Sequence, residues 1–141
     1  MKKEVIATAD LMSLVESAIS NNQKATFKVT GSSMTPFFTH ALTSVTIVKV
    51  EKPLKKYDVV LFKYQNSFKL HRIISINGER VVASGDALLS KEMIQVEDII
   101  GIVESFETEG QNTMSFDQKY LSKVKRYYFF KPLLIRLRRF K

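Results

Sequence analysis

At 141 residues the chain has room for one domain with a substantial core and too little for two. The absence of cysteine excludes disulfides, thiolate metal sites and a cysteine nucleophile, and two histidines, His40 and His71, argue against a histidine-built metal centre, so neither metal nor cofactor is expected. The formal net charge of +8 is uneven: Lys119 to Lys141 holds nine Lys or Arg and no acid, while residues 1–118 hold 13 basic and 14 acidic residues and are electrically balanced.

No run approaches the roughly 20 apolar residues of a membrane-spanning helix. Lys2 and Lys3 begin the chain, but Glu4, Asp10 and Glu16 interrupt the residues after them, so a secretion signal is not indicated. The expected location is the cytoplasm, with peripheral membrane contact left open by the basic end.

Residues 9–21 carry Leu11, Val15, Ala18 and Ile19 at helical spacing, with Thr8 or Asp10 available as a cap and Asn21-Asn22 as a stop, which predicts one short amphipathic helix. Strand-like runs rich in Val, Ile, Phe and Thr come next, at Ala25–Thr30, Ser44–Glu51, Asp58–Tyr64, Ser67–Ile76, Arg80–Ser84 and Ile99–Phe106. Gln65-Asn66 and Asn77-Gly78 interrupt this pattern as hairpin turns, predicting a three-stranded meander from Asp58 to Ser84. The end of the chain mixes Tyr120, Tyr127, Tyr128, Phe129, Phe130 and several leucines with its cations, and Pro132 should break or kink a helix there. Two readings stay open for residues 116–141: a terminal helix packed on the β-domain with a solvated basic face, or an interfacial segment whose aromatics enter a lipid headgroup layer while its cations meet anionic lipid. A nucleic-acid partner is not expected, because the segment is too apolar for a solvated arm.

Gly31-Ser32-Ser33-Met34-Thr35-Pro36 places a serine where a strand-like run breaks into a turn. A serine nucleophile needs a base within hydrogen-bond reach. Lys69 and His71 are two apart on one predicted strand and so share a face. A histidine serves as base near its ordinary pKa whereas a lysine must be heavily desolvated, which favours His71 and leaves Lys69 as the alternative base. Asp86, after Gly85, could orient the imidazole as the third member of a Ser-His-Asp arrangement. The Ser33 backbone N–H could help hold an oxyanion. Each residue also has a plain reading: Ser33 as a turn residue bonding locally, His71 as a half-buried strand histidine, Asp86 as a turn aspartate, and His40 as a loop or surface residue.

Taken in order, Gly-Ser-Ser-Met-Thr-Pro (31–36), Tyr-Asp-Val-Val-Leu-Phe (57–62), Leu-His-Arg-Ile-Ile (70–74), Ser-Gly-Asp-Ala (84–87) and Asp-Ile-Ile-Gly-Ile-Val (98–103) resemble the signal peptidase I and LexA-like serine peptidase superfamily. The resemblance spans residues 28–106, over half the chain. It implies a mainly β fold, a half-open antiparallel barrel; together with the short N-terminal helix and the basic end read from the residues, the chain divides as 1–24 N-terminal helix, 25–107 peptidase β-domain and 108–141 basic aromatic tail with helical character. It implies serine endopeptidase activity on a leader or signal-like peptide, with Ser33 rather than Ser32 as nucleophile. A lysine is the usual base; His71 before Arg72 resembles the endoplasmic-reticulum and SipW-like branch, where histidine replaces it, and Asp86 carries over from the Gly-Asp motif as the assisting acid. Tyr57 stands where the family usually has glycine. Gly31 stands where some bacterial members have a hydroxyl completing the oxyanion hole, so Ser33 N–H and one further donor would form it. The membrane anchor of signal peptidases is not visible. The alternative function is a self-cleaving or non-catalytic LexA-like regulatory module.

Overall fold

The computed structural model describes residues 8–139; the start of the expected N-terminal unit and residues 140–141 lie outside them. Helix α1 (Thr8–Ser20) leads into strands β1 (Ala25–Lys28), β2 (Thr43–Val48), β3 (Val59–Tyr64), β4 (Ser67–Asn77), β5 (Arg80–Ser84), β6 (Glu92–Gln95), β7 (Ile99–Thr108) and β8 (Gln111–Met114), and helix α2 (Gln118–Arg139) ends the chain. All strand pairs are antiparallel, in the order β1-β2-β7-β3-β4-β5-β6. Long β7 keeps β2 on one edge and gives the other first to β3 and then to β8. The fold is therefore mainly β with a helix at each end, as expected, but the sheet is not closed: β1 and β6 are its two ends.

Strand β3 explains how one sheet supports two cores. Val59 and Leu61 point into a core shared with Met12, Val15 and Ile19 of α1, while Val60 and Phe62 point to the opposite side with Ile73, Val81 and Ile94. A strand buried on both faces reads as the continuous apolar run seen there rather than as an alternation. In α1 the buried positions are Met12, Val15 and Ile19; Leu11, expected to face inward, is exposed. Asn22, at φ 61°, turns the chain out of the helix while Gln23 N–H returns to Ala18 O at 2.9 Å.

The meander forms as expected, through two-residue turns. Gln65 and Asn66 both take positive φ, as a two-residue primed turn demands. The second loop is shifted by one residue: Asn77 still pairs with Arg80, and Gly78, at φ 63°, opens the turn. Two strands escaped the sequence reading. β6 and β8 have only four residues each, too short for a period of two to stand out from loop composition.

Helix α2 continues through Pro132 instead of breaking there. Lys131 and Ile135, on either side of the proline, are both buried and keep the helix against the body, which offsets the missing N–H bond. Further up, Tyr120 and Val124 join the α1-side core, with the Tyr120 ring 4.9 Å from that of Phe106. What looked like a tail is part of the fold. Deleting residues 118–141 should therefore abolish cooperative unfolding, monitored by circular dichroism on heating, because it strips Tyr120, Val124 and Ile135 from the buried surface.

Candidate functional site

The turn carrying Ser33 is set by its neighbours. Val29 and Met34 are sunk in the α1-side core, at 5% and 2% exposure, so the chain between β1 and β2 is anchored on both sides of the exposed turn at residues 30–32 that carries Ser33. Gly31 sits at φ 83°, a left-handed conformation that glycine adopts without strain, and its N–H donates to Nδ1 of His40 at 2.7 Å. His40 is thus an exposed loop residue, as expected, and holds the turn. Thr35 closes the other end through Oγ1 and its N–H, both bonded to Ser32 O. Half-buried Ser33 is left facing a cleft.

Across that cleft stands β4. Alternation puts Lys69 and His71 on one face of the strand, and both reach the cleft at the strand's open edge, as do Phe68 and Leu70 from the other face. His71 is buried, and its Nε2 lies 3.2 Å from Ser33 Oγ. Lys69 lines the same cleft without a hydrogen bond to the serine, so the alternative base has no contact with the candidate nucleophile. The other imidazole nitrogen, Nδ1, lies 2.8 Å from Oε1 of Glu92, which is also buried. A carboxylate there holds the proton on Nδ1 and leaves the Nε2 lone pair toward the serine hydroxyl. Ser33, His71 and Glu92 form a continuous relay able to accept a proton from Oγ and to stabilise the resulting imidazolium.

Asp86 was expected in the place that Glu92 holds, and the structure corrects this. Fully buried Asp86 receives Nε and Nη2 of Arg72 at 2.9 and 2.8 Å, while the Tyr128 hydroxyl donates to the same carboxylate. The physical reason is again alternation: Arg72 comes directly after His71 and so faces the opposite side, drawing Asp86 with it. Glu92 escaped the sequence reading because β6 did. Its one signal is its phase with Ile94, which places a carboxylate on the buried face of a strand, where an acid requires a partner.

The Gly85-Asp86-Ala87 segment shapes the site without entering the relay. Ala87 N–H donates to Ser33 O at 2.9 Å, tying the serine turn to this loop. A Cβ on Gly85 would come within 2.7 Å of Ser33 O and 3.1 Å of His71 Nε2, so only glycine permits the approach. The loop is fastened in turn to α2. Tyr127 OH donates to Asp86 O at 2.6 Å, Tyr120 OH accepts from Arg72 Nη1 at 2.8 Å, and Lys131 Nζ donates to Gly85 O at 2.9 Å. Arg72 Nη1 also reaches Tyr57 O, at 3.0 Å. Tyr57 takes φ 82°, a backbone conformation uncommon for a residue with a side chain.

This network perturbs its members strongly. Burial acts to lower the Arg72 pKa, but the charge and hydrogen bonds of Asp86 outweigh it and hold the guanidinium firmly protonated. Burial, with the Asp86 charge second, pushes the Tyr127 and Tyr128 phenols up. Burial lowers Lys131 to about 8 from an ordinary 10.5, against the pull of Asp86.

The two carboxylates are separable by experiment. Asp86→Ala should destabilise the fold by about 3–5 kcal/mol in urea unfolding, because it leaves Arg72 buried and unpaired. Glu92→Gln should leave the unfolding midpoint nearly unchanged while weakening the relay. Lys131 gives a pH signature. Between about pH 8 and 10.5 the folded chain has released a proton that the unfolded chain still holds, so wild-type stability should rise with pH relative to Lys131→Met, read from thermal midpoints across that window. Comparison with known proteins finds no matching family model and no matching curated protein.

Proposed function

We propose that the protein is a serine endopeptidase of the signal peptidase I type, in the histidine-base branch its motifs resemble, and that it cleaves a leader or signal-like peptide. The observation that carries this reading is the relay itself: Ser33 Oγ at 3.2 Å from His71 Nε2, with Glu92 on the other imidazole nitrogen at 2.8 Å. A turn serine and a strand histidine with structural roles alone would not need a buried carboxylate aligned behind the ring. The finer fold reading that goes with it is a LexA and signal peptidase-like half-open barrel.

The cleft in front of Ser33 suits an extended peptide. It measures about 470 Å³ and is lined largely by apolar side chains, among them Leu11, Met12, Phe27, Phe68, Leu70 and Leu88. Strand β1 pairs only with β2, and β4 pairs with β5 only from Arg72 onward, so the stretches Ala25–Lys28 and Ser67–His71 each keep an unpaired backbone edge. Such edges accept a peptide as an added strand, with side chains entering the cleft at alternate positions.

In the reaction, Ser33 Oγ attacks the scissile carbonyl carbon while His71 Nε2 takes its proton, and Glu92 stabilises the imidazolium. The oxyanion that forms accepts from the Ser33 N–H and a second donor. His71 then returns the proton to the leaving amine as the peptide bond breaks. Water, deprotonated by His71, attacks the resulting ester and releases the second fragment, restoring Ser33.

Incubation with a leader-peptide library, with products read by mass spectrometry, tests this. Ser33→Ala and His71→Ala should each lose cleavage by on the order of 10⁴-fold or more, and Glu92→Gln should lower kcat substantially with less change in KM. Unchanged cleavage by either of the first two variants would sink the proposal. A single self-cleaved product from the purified chain would point instead to a LexA-like switch.

A further inference from the structure

Away from its seated face, α2 presents Phe129, Phe130, Leu133, Leu134 and Leu137 to the outside, with Phe129 79% and Leu133 56% exposed. At 3.6 residues per turn these positions fall in one stripe about 140° wide. Beside it, between α2 and the loop joining β5 to β6, lies a second cleft of about 540 Å³. Lys56, Lys91, Lys125 and Lys131 line that cleft, with the Phe129 ring at its margin and no Asp or Glu among its lining residues. Among the described residues, none of these lysines is paired with a carboxylate. The whole of α2, Gln118–Arg139, contains no acid.

An apolar stripe beside unpaired cations calls for an occupant that is apolar and anionic at once. A second copy of this face would set like charges against each other. A nucleic-acid strand would neutralise the lysines but leave the leucines in water. A leaflet of anionic lipid satisfies both, with apolar side chains entering the acyl boundary while lysines meet phosphates. We propose that the outer face of α2 and the lysine-lined cleft beside it form a docking surface for an anionic membrane, with a lipid phosphate held by Lys56, Lys91 and Lys125.

The β5–β6 loop joins this surface to the Ser33 cleft. Leu88 lines the serine cleft, and Leu89, the next residue, lines the lysine cleft. The same loop is held by Lys131 at Gly85 and by Arg72 at Asp86. Docking at the lysine cleft therefore brings the β5–β6 loop, which is also one wall of the Ser33 cleft, to the headgroup layer. No helix among the described residues is long and apolar enough to cross a membrane, so docking by α2 is a surface contact.

Co-sedimentation of the full chain with vesicles of phosphatidylcholine alone, or mixed with phosphatidylglycerol, tests the proposal. The chain should pellet with the anionic vesicles, weakly with the neutral ones, and less as salt is raised. Replacing Lys56, Lys91 and Lys125 by Gln should reduce partitioning by roughly a hundredfold, at about fivefold per lysine. Phe129→Ser with Leu133→Ser should reduce it by more than about tenfold. All five side chains are exposed, so a retained thermal midpoint confirms that the variants fold. Ser33→Ala should bind as wild type does, which separates this result from the fate of the peptidase reading. Equal binding to neutral and anionic vesicles, or undiminished binding by the triple-lysine variant, overturns the proposal. So does complete displacement from vesicles by soluble glycerophosphate at matched phosphate concentration, which assigns the cleft to free phosphate. A dimer in sedimentation velocity that dissociates on replacing Phe129 and Leu133 overturns it in favour of self-association.

Discussion

The buried ion pair between Arg72 and Asp86 is the constraint on which the rest depends. Both side chains are fully enclosed, and removing two charges from water costs several kcal/mol per ion. That cost is met here by a two-point contact between guanidinium and carboxylate, with Tyr57 O and Tyr120 OH accepting further hydrogen bonds from Arg72 and Tyr128 OH donating one to Asp86. Pairs of this kind add little net stability but are costly to break from one side, so they act as specific joints. This joint fixes β4, the Gly85–Ala87 loop and α2 against one another. Through Ala87 N–H on Ser33 O it also fixes the serine turn.

Around that joint, neighbouring residues of one strand have different tasks. His71 lies between Ser33 at the cleft and buried Glu92, and Arg72 faces the other way to the Asp86 network. The two acids are thereby kept apart: Glu92 behind the imidazole, Asp86 behind the guanidinium. Gly85 is the contact point between the halves, since its missing side chain lets the Asp86 loop lie against both Ser33 and the His71 ring. A site of this sort gains its geometry from elements that never touch a reacting atom.

Helix α2 closes the arrangement. Its inner face supplies Tyr120, Tyr127, Tyr128 and Lys131 to the network, and its outer face carries uncovered apolar side chains. Cationic character and aromatic content, which composition alone assigns to a single basic tail, are divided by helical periodicity between an inward structural role and an outward surface.

Much of this is legible in the chain itself. Apolar runs and turn residues locate α1 and six of the eight strands, and the Gly-Ser-Ser-Met and Leu-His-Arg segments single out Ser33 and His71. Local pattern suffices there, because strand periodicity and turn chemistry act over a few residues. Which carboxylate serves the histidine was decided only by tertiary structure. Glu92 and Asp86 lie on either side of a short loop and are chemically equivalent in sequence. The alternation of β4, the pairing of β5 with the brief strand β6, and the burial of Arg72 send one to the imidazole and the other to the guanidinium. The fate of Pro132 was settled in the same way, since packing of Lys131 and Ile135 outweighs a local preference to end the helix. Sequence determined which chemical groups were present and which short elements carried them. Long-range burial decided which groups met, because an enclosed charge must find its partner wherever the fold places one.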